Sequence, residues 1–258
     1  MFNNDLLFKE THSMRFIYIL IVALFISCKP NKVALTAQEI IDKSIYASGA
    51  QKVASSEISF RFRDKKYKAI RKNGVFKLFR SFKEDSIFID ESISNTNYQR
   101  WINEKPTKVV DSMITNYSNS INSVHYFSVL PFGLNDKAVR KKLLPSNTVN
   151  GVVYYKVEIT FDENGGGEDF NDVFIYWINQ ETFLIDYLAY AYETNGGGKR
   201  FRALKEQHFV KGIRFIDYYN YKPFDESTLL INLDKSFENN KLKMVSEIIL
   251  EDIEVNFN

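Results

Sequence analysis

Apolar and polar residues alternate along much of this 258-residue chain, and this period of two restricts its fold. In residues 57–62, three apolar side chains alternate with three polar ones, the pattern of a strand with one buried and one solvated face. Asn73-Gly74 separates two further segments of this kind, and both residues tolerate the positive φ angles of a two-residue hairpin turn. The sequence therefore predicts antiparallel strands joined by short connections.

Two segments have the helical period instead. Thr36 and Glu39 form a capping-box pair ahead of an amphipathic helix over residues 37–48. A second helix is predicted over residues 112–130, where apolar side chains recur at helical spacing. Residues 137–144 fit either a helix or an exposed edge strand. The other segments with a strand pattern are residues 66–72, 75–82, 85–90, 98–103, 152–161, 173–178, 183–193, 201–208, 213–221, 229–233 and 244–255.

The order of these elements indicates the fold class. Helices and strands do not alternate along the chain, which argues against a doubly wound sheet and against an eightfold α/β barrel. We predict an α+β fold, in which a long curved antiparallel sheet forms a half-open barrel with one or two helices on its concave face. Such a sheet leaves an apolar hollow that suits a lipid or an acyl chain. Residues 36–258 are expected to form this single domain.

The segment that ends at Cys28, the only cysteine of the chain, predicts where the protein is found. Its apolar run of about 11 residues is too short for a helix that crosses a bilayer. Residues 1–28 are therefore interpreted as a signal peptide with a lipidation site at Cys28 and with Met14 as its start. Residues 29–35 would form a tether. We expect a lipid-anchored protein of the outer membrane or cell envelope that faces the periplasm.

Composition excludes one class of partner. The chain has 34 basic and 32 acidic residues and a formal net charge of +2, so it carries no field that would favour nucleic acid. With a single cysteine it can form no internal disulfide. The expected partners are a lipid or hydrophobic small molecule and, through the anchor, the membrane. The sequence does not identify a protein partner.

Several stretches resemble known lipoproteins. The region before Cys28 resembles a bacterial lipoprotein signal, and residues 125–134 and 187–202 resemble an uncharacterised family of small lipoproteins from the Bacteroidota. The order of capped helix, β-meander, helix and β-meander, together with residues 174–182, is similar to the LolA/LolB-type lipoprotein carrier superfamily. This resemblance implies a half-barrel fold and a lipid or hydrophobic ligand, without a residue-level mechanism. Soluble carriers of that superfamily lack the anchor expected here.

Candidate ligand-binding residues follow from the predicted hollow. For the head group of an anionic amphiphile we select His125, Arg200 and Arg202. The aromatic residues expected to line the rest of the hollow are Trp101, Trp177, Tyr190 and Tyr192. Each has a structural alternative, because a lone histidine, a polar strand face and strand aromatics commonly serve the core or the surface.

The small residues of the strand over 183–193 give a further expectation. Ala189 and Ala191 share one strand face, and we take them as facing the hollow. A tryptophan at either position should then block ligand uptake.

Two glycine triplets, residues 165–167 and 196–198, precede predicted strands and not helices, so a phosphate cradle is disfavoured. The acidic loop over residues 162–172 is rich in oxygen ligands, but its register does not match a calcium-binding loop. A solvated hairpin loop is the simpler interpretation. Whether this loop binds a cation is left open by the sequence.

Functions from three classes remain. We favour a membrane-anchored envelope lipoprotein that binds a lipid or another hydrophobic ligand in the half-barrel cavity. The alternatives are a structural or complex-forming envelope lipoprotein without catalytic activity and, third, a hydrolase or lyase. The sequence has no His-Glu-x-x-His and no Gly-x-Ser-x-Gly motif, and we predict no catalytic residue, no metal and no cofactor.

Overall fold

The computed structural model describes residues 34–167, 170–193 and 196–257. Within these ranges it contains strands whose hydrogen-bonded neighbours are all antiparallel. The strands are β1 (Ser56–Phe62), β2 (Lys65–Lys72), β3 (Val75–Glu84), β4 (Ile87–Ser94), β5 (Tyr98–Ile102), β6 (Lys105–Pro106), β7 (Val139–Val149), β8 (Val152–Phe161), β9 (Val173–Asn179), β10 (Ile185–Tyr192), β11 (Gly198–Val210), β12 (Ile213–Pro223), β13 (Leu242–Ile248) and β14 (Glu251–Phe257).

The strands form two sheets of seven. Sheet A has the order β14-β1-β2-β3-β4-β5-β6, and sheet B has the order β13-β12-β11-β10-β9-β8-β7. Each sheet has two distinct edge strands, so neither closes on itself in the part of the chain that the structure describes. The predicted α+β class with a half-open antiparallel arrangement is confirmed. The single long sheet that we expected is divided into two.

The division occurs where we predicted one strand over residues 244–255. The structure has β13 beside β12 in sheet B and β14 beside β1 in sheet A, so the chain changes sheets at residues 249–250. At this crossing the backbone N–H of Leu250 donates a 2.8 Å hydrogen bond to Asp217 of β12. A buried carboxylate therefore stabilises the connection between the sheets.

Three α-helices and two short 3₁₀ segments complete the described part. The helices are α1 (Ala37–Ala47), α2 (Asp111–Ser128) and α3 (Leu233–Glu238), and the 3₁₀ segments are Ala50–Ser55 and Leu230–Asn232. None of the helices described is long and apolar enough to span a bilayer. The first two helices confirm the predicted ones, and the ambiguous residues 137–144 belong largely to strand β7.

The predicted strand over residues 229–233 was wrong, because this segment is a 3₁₀ turn that continues into α3. Its apolar side chains are used to cover sheet B instead of extending it. Leu233 is fully buried, and Leu230 and Ile231 pack against the same core cluster as Trp177. The apolar run thus reflected packing and not a strand.

Local signals near the chain start act as expected. The Thr36 side chain accepts a hydrogen bond from the Glu39 backbone, and the Glu39 carboxylate accepts one from the Thr36 backbone, which completes the capping box of α1. The hairpin between β2 and β3 turns at Asn73-Gly74, with φ angles of 53° and 77°. Gly49 allows a close backbone approach, since a Cβ there would lie 1.8 Å from the carbonyl oxygen of Gly212.

The helix α2 separates sheet A from the region described next. Its residue Ile121 is fully buried in one cluster with Ala69, Leu78 and Ile93 of sheet A. A second cluster joins the sheets, because it contains Phe60 of sheet A, Phe215 of sheet B and residues near the end of α2. A third lies between sheet B and α3. Packing of α2 against sheet A leaves another side of the helix free to form a wall.

Candidate functional site

A cleft of about 970 Å³ is formed by α2 and sheet B. Its lining comes from α2, from strands β8 to β13 and from the connection between β8 and β9, with Phe62 of β1 as a contribution from sheet A. Small-molecule sites in proteins commonly measure roughly 300–1,000 Å³. The cleft is therefore large enough for one ligand with an extended apolar part.

Helix α2 supplies a wall that changes in polarity along its length. Asn116, Asn119, Ser120 and Ser123 line the cleft and recur at the three-to-four-residue spacing of one helix face. Phe127 lines it further along the same face. Asn116, Ser120 and Ser123 are exposed, whereas Phe127 is half-buried. The wall thus passes from amide and hydroxyl groups to an aromatic ring.

The side chains around Phe127 form an aromatic cluster. Phe174 of β9 and Tyr190 of β10 are stacked, with ring centroids 5.6 Å apart. Phe127 lies 6.0 Å from Phe174 and 5.3 Å from Tyr190. Phe161 of β8 meets Phe174 edge to face at 5.8 Å. Facing rings of this kind provide a large apolar surface with defined geometry.

Arg202 of β11 lies within this cluster and is only 7% exposed. Its guanidinium carbon is 3.9 Å from the ring centre of Phe127, and its Nη2 donates a 3.1 Å hydrogen bond to the Tyr190 hydroxyl. The Nε donor is buried without a hydrogen-bond partner. In the part of the chain that the structure describes, no carboxylate forms a salt bridge with Arg202.

Three buried tyrosines lie around or beside the cleft near Arg202. Tyr126 of α2 and Tyr176 of β9 have hydroxyl oxygens 3.3 Å apart, and the Tyr218 hydroxyl of β12 is buried without a partner. Burial raises the pKa of Tyr126 and of Tyr218 to about 12, and it raises that of Tyr176 well above its ordinary value. These hydroxyls are therefore protonated at neutral pH and can donate hydrogen bonds.

The structure brings four of the sequence-predicted ligand residues together. Arg200, Arg202, Tyr190 and Tyr192 all line the cleft. The Arg200 guanidinium is half-buried, lies 5.3 Å from the ring centre of Tyr192 and donates a 2.8 Å hydrogen bond to the carbonyl of Lys199. It is a more exposed and better satisfied cation than Arg202.

His125 does not line the cleft, although it belongs to α2. It is 1% exposed, and its ring Nε2 donates a 3.0 Å hydrogen bond to the carbonyl of Phe79 in sheet A. The rings of Phe60 and Tyr67 pack edge-on against it. Burial lowers the pKa of His125 to about 3, so the ring is neutral at physiological pH. Its position is that of a hydrogen-bonded core histidine.

The two tryptophans also lie away from the cleft. Trp177 is fully buried in the core beneath α3, where its Nε1 donates a 3.0 Å hydrogen bond to Asp234, which also forms a 2.8 Å salt bridge with Lys156. Trp101 lies on β5 of sheet A, opposite Asp90. Neither indole is among the cleft residues.

The expectation for Ala189 and Ala191 was wrong in its strand face. Tyr190 and Tyr192 line the cleft, and neighbouring residues on a strand point to opposite sides. Ala189 is fully buried in the core cluster that contains Trp177. A tryptophan at Ala189 would therefore overpack the core and would not fill the cleft.

Buried charges hold the α2 wall in place. Glu91 of β4 is 1% exposed and accepts hydrogen bonds from Arg80 Nε at 2.8 Å, from Arg100 Nη1 at 3.2 Å and from the Tyr98 hydroxyl at 2.7 Å. Arg80 in turn donates a 2.7 Å hydrogen bond from Nη1 to Ser120 Oγ on α2. The carboxylate of Glu91 thus fixes the arginine that links sheet A to a residue of the cleft wall.

Sequence reasoning missed several cleft residues, including Phe127, Phe174 and Tyr218. A usable signal existed on α2, because the polar residues Asn116, Asn119, Ser120 and Ser123 keep helical spacing ahead of Phe127. For Phe174 and Tyr218 no comparable signal exists, since β9 and the first half of β12 are buried on both faces.

A separate cluster of possible metal ligands lies on β11 and β12. Glu206, His208 and Asp217 each offer one ligand atom, and these atoms lie within 4.8 Å of one another. Asp217 already accepts the Leu250 N–H and lies 3.1 Å from the His208 ring nitrogen. These bonds give the cluster a structural role at the sheet crossing, and we assign it no metal.

Two expectations fall on residues outside the described ranges. Cys28, the predicted lipidation site, precedes the first described residue. In the acidic loop over residues 162–172, Glu168 and Asp169 are also outside them. Lipidation and the ligand chemistry of that loop therefore stay predictions.

Three solved structures are similar to this chain at low identity. A DUF1329 family protein from Desulfovibrio piger has 9% identity and a TM-score of 0.44, with 87% of this chain and 94% of that chain covered. A domain described as an outer membrane lipoprotein-sorting protein, from Vibrio parahaemolyticus, has 9% identity and a TM-score of 0.39, covering 84% and 93%. The lipoprotein LppX of Mycobacterium tuberculosis has 10% identity and a TM-score of 0.28, covering 61% and 89%. We base no functional conclusion on likenesses this distant.

Sequence comparison is more decisive about the family than about activity. No curated protein matches the chain. Residues 13–252, by contrast, match the model of a family of unknown function, DUF6503, over most of the sequence. The chain belongs to this family, DUF6503.

Proposed function

We propose that this protein binds a lipid or another hydrophobic small molecule in the cleft between α2 and sheet B. The observation that carries the proposal is the aromatic lining of a cleft of about 970 Å³. A ligand of that volume would bury most of its own surface on binding.

The exposure of the lining favours an apolar ligand. Phe62, Phe127, Phe161 and Tyr192 line the cleft and are only half-buried, so part of each ring is open to solvent. Removing apolar surface from water contributes roughly 25 cal/mol per Å². A chain laid across these rings would gain that stabilisation without a change of fold, because the sheet already holds them in place.

The proposed setting is the cell envelope. Acylation of Cys28 would anchor the protein, residues 29–35 would act as a tether, and residues 36–258 would form the ligand-binding domain. An anchored domain of this kind would hold its ligand next to a membrane. A purely structural envelope role is the alternative that the binding experiment tests.

The cleft can be filled from α2. Ser123 lines the cleft and is exposed, so Ser123→Trp should place an indole in it at little cost to the fold. Thr115→Trp is the matched control, since Thr115 is exposed on the same helix but does not line the cleft.

The experiment titrates a fluorescent fatty acid and its methyl ester against full-length protein and both variants. We expect binding of at least one probe, weakened about tenfold or more by Ser123→Trp and unchanged by Thr115→Trp, where tenfold corresponds to about 1.4 kcal/mol. Failure of the unmodified protein to bind either probe, or equal binding by all three proteins, would contradict a ligand in this cleft.

A further inference from the structure

We propose that the buried end of the cleft is a subsite for one negative charge, in which Arg202 and tyrosine hydroxyls bind the carboxylate of an amphiphile. This inference rests on the proposed function, which it narrows from hydrophobic ligands in general to those that carry a single carboxylate.

The first argument is the charge balance around Arg202. Its guanidinium is 7% exposed, and no described carboxylate forms a salt bridge with it. Other well-buried basic groups in the structure are paired, as Arg80 is with Glu91 and Lys156 with Asp234. Arg71 is the exception on the far side of α2, but it does not line the cleft. A buried cation without a counterion is costly unless an anion joins it.

The second argument is the set of unused hydrogen-bond donors. Arg202 Nε and the Tyr218 hydroxyl are both buried without partners, and the positive charge of Arg202 acts on the Tyr218 hydroxyl. The Tyr190 hydroxyl accepts from Arg202 Nη2, and no described acceptor takes its own hydrogen. Such unpaired buried donors are rare in folded proteins, and they are what an anion would bind.

The geometry of the guanidinium favours a carboxylate. Phe127 covers one face of the guanidinium at 3.9 Å, which leaves the donors in the guanidinium plane. A planar carboxylate matches that fork of N–H groups, whereas an ammonium or an ester does not. One buried cation balances one negative charge. Arg200 is half-buried, and one of its donors already bonds the Lys199 carbonyl, so it is placed less well to neutralise a second charge.

The location of the subsite orients the ligand. Arg202 and Tyr218 are at most 7% exposed, whereas Asn116, Ser120 and Ser123 at the other end of the lining are exposed. The carboxylate would therefore enter first, and the apolar chain would lie along Phe127 and the neighbouring rings toward the polar stripe of α2.

The test compares three probes with the same fluorescent alkyl chain on full-length protein: the carboxylic acid, its methyl ester and the alkyl phosphate. We expect the acid to bind about tenfold or more tightly than the ester and more tightly than the phosphate. Arg202→Gln should abolish the preference for the acid, Tyr218→Phe should reduce it, and the control Arg200→Gln should largely keep it.

The outcomes separate the two proposals. If no probe binds, the proposed function itself fails. If the acid and ester bind unmodified protein equally, the cleft binds hydrophobic ligands but the carboxylate subsite is refuted, and this comparison needs no variant to fold. Tighter binding of the phosphate, or an acid preference that survives in folded Arg202→Gln protein, would also overturn the subsite.

Discussion

The buried carboxylate of Glu91 allows a quantitative test of how the cleft wall is held. Its side chain has no exposed surface, while those of its partners Arg80 and Arg100 are 8% and 15% exposed. Glu91→Gln keeps the shape but removes the negative charge that both guanidinium groups face. Removing one partner of a buried ion pair costs about 3–5 kcal/mol, mainly because the other charge stays buried and unpaired. We expect the free energy of unfolding to fall by that amount.

The matched control is the same substitution at an exposed pair of sheet A. Glu57 and Lys68 are 2.7 Å apart, with side chains 33% and 45% exposed, so Glu57→Gln should cost no more than about 1 kcal/mol. Urea unfolding followed by far-ultraviolet circular dichroism gives both values, and Glu91→Gln should lower the melting temperature by roughly 6–20 °C. A Glu91→Gln protein as stable as the Glu57→Gln protein would refute the reasoning.

Two further predictions concern acid stability and anchoring. Burial lowers the pKa of His125 to about 3 from an ordinary value of 6.5, so the unfolded chain binds a proton that the folded protein does not; stability should be complete above pH 6.5 and decline as the pH falls toward 3. Urea unfolding between pH 7 and 5 should show a steeper decline for the unmodified protein than for His125→Gln, and equal slopes would contradict a neutral buried ring. Cys28→Ala should abolish membrane association with the fold intact, because Cys28 is the only thiol; undiminished sedimentation with membranes would place the anchor elsewhere.

Local features of the fold were predictable because neighbouring residues determine them. Asn73-Gly74 turns the hairpin between β2 and β3 with positive φ angles at both residues. The capping box of Thr36 and Glu39 starts α1 as expected. The division into two sheets was not predictable in this way. It depends on β14 pairing with β1, a contact between segments far apart in the sequence.

The candidate site shows the same limit at the level of single side chains. Leu188 and Ala189 are both fully buried, so hydrophobicity could not tell which face of β10 meets the cleft. His125 was predictable in principle, since Ile121 and Ser128 share its helix face and all three are buried. The lack of a counterion at Arg202 required the three-dimensional structure, because pairing of charges is a property of space and not of sequence.

The pairing of β14 with β1 determines when sheet A can be completed. Its register joins Ser56 to Phe257, so β1 waits for a partner that the ribosome makes long after it. Until then β1 has one open row of backbone donors and acceptors, which is a template for pairing with other chains. Truncations that remove β14 should therefore cause aggregation more readily than equally long deletions in the loops, because they leave the middle of the sheet as its edge.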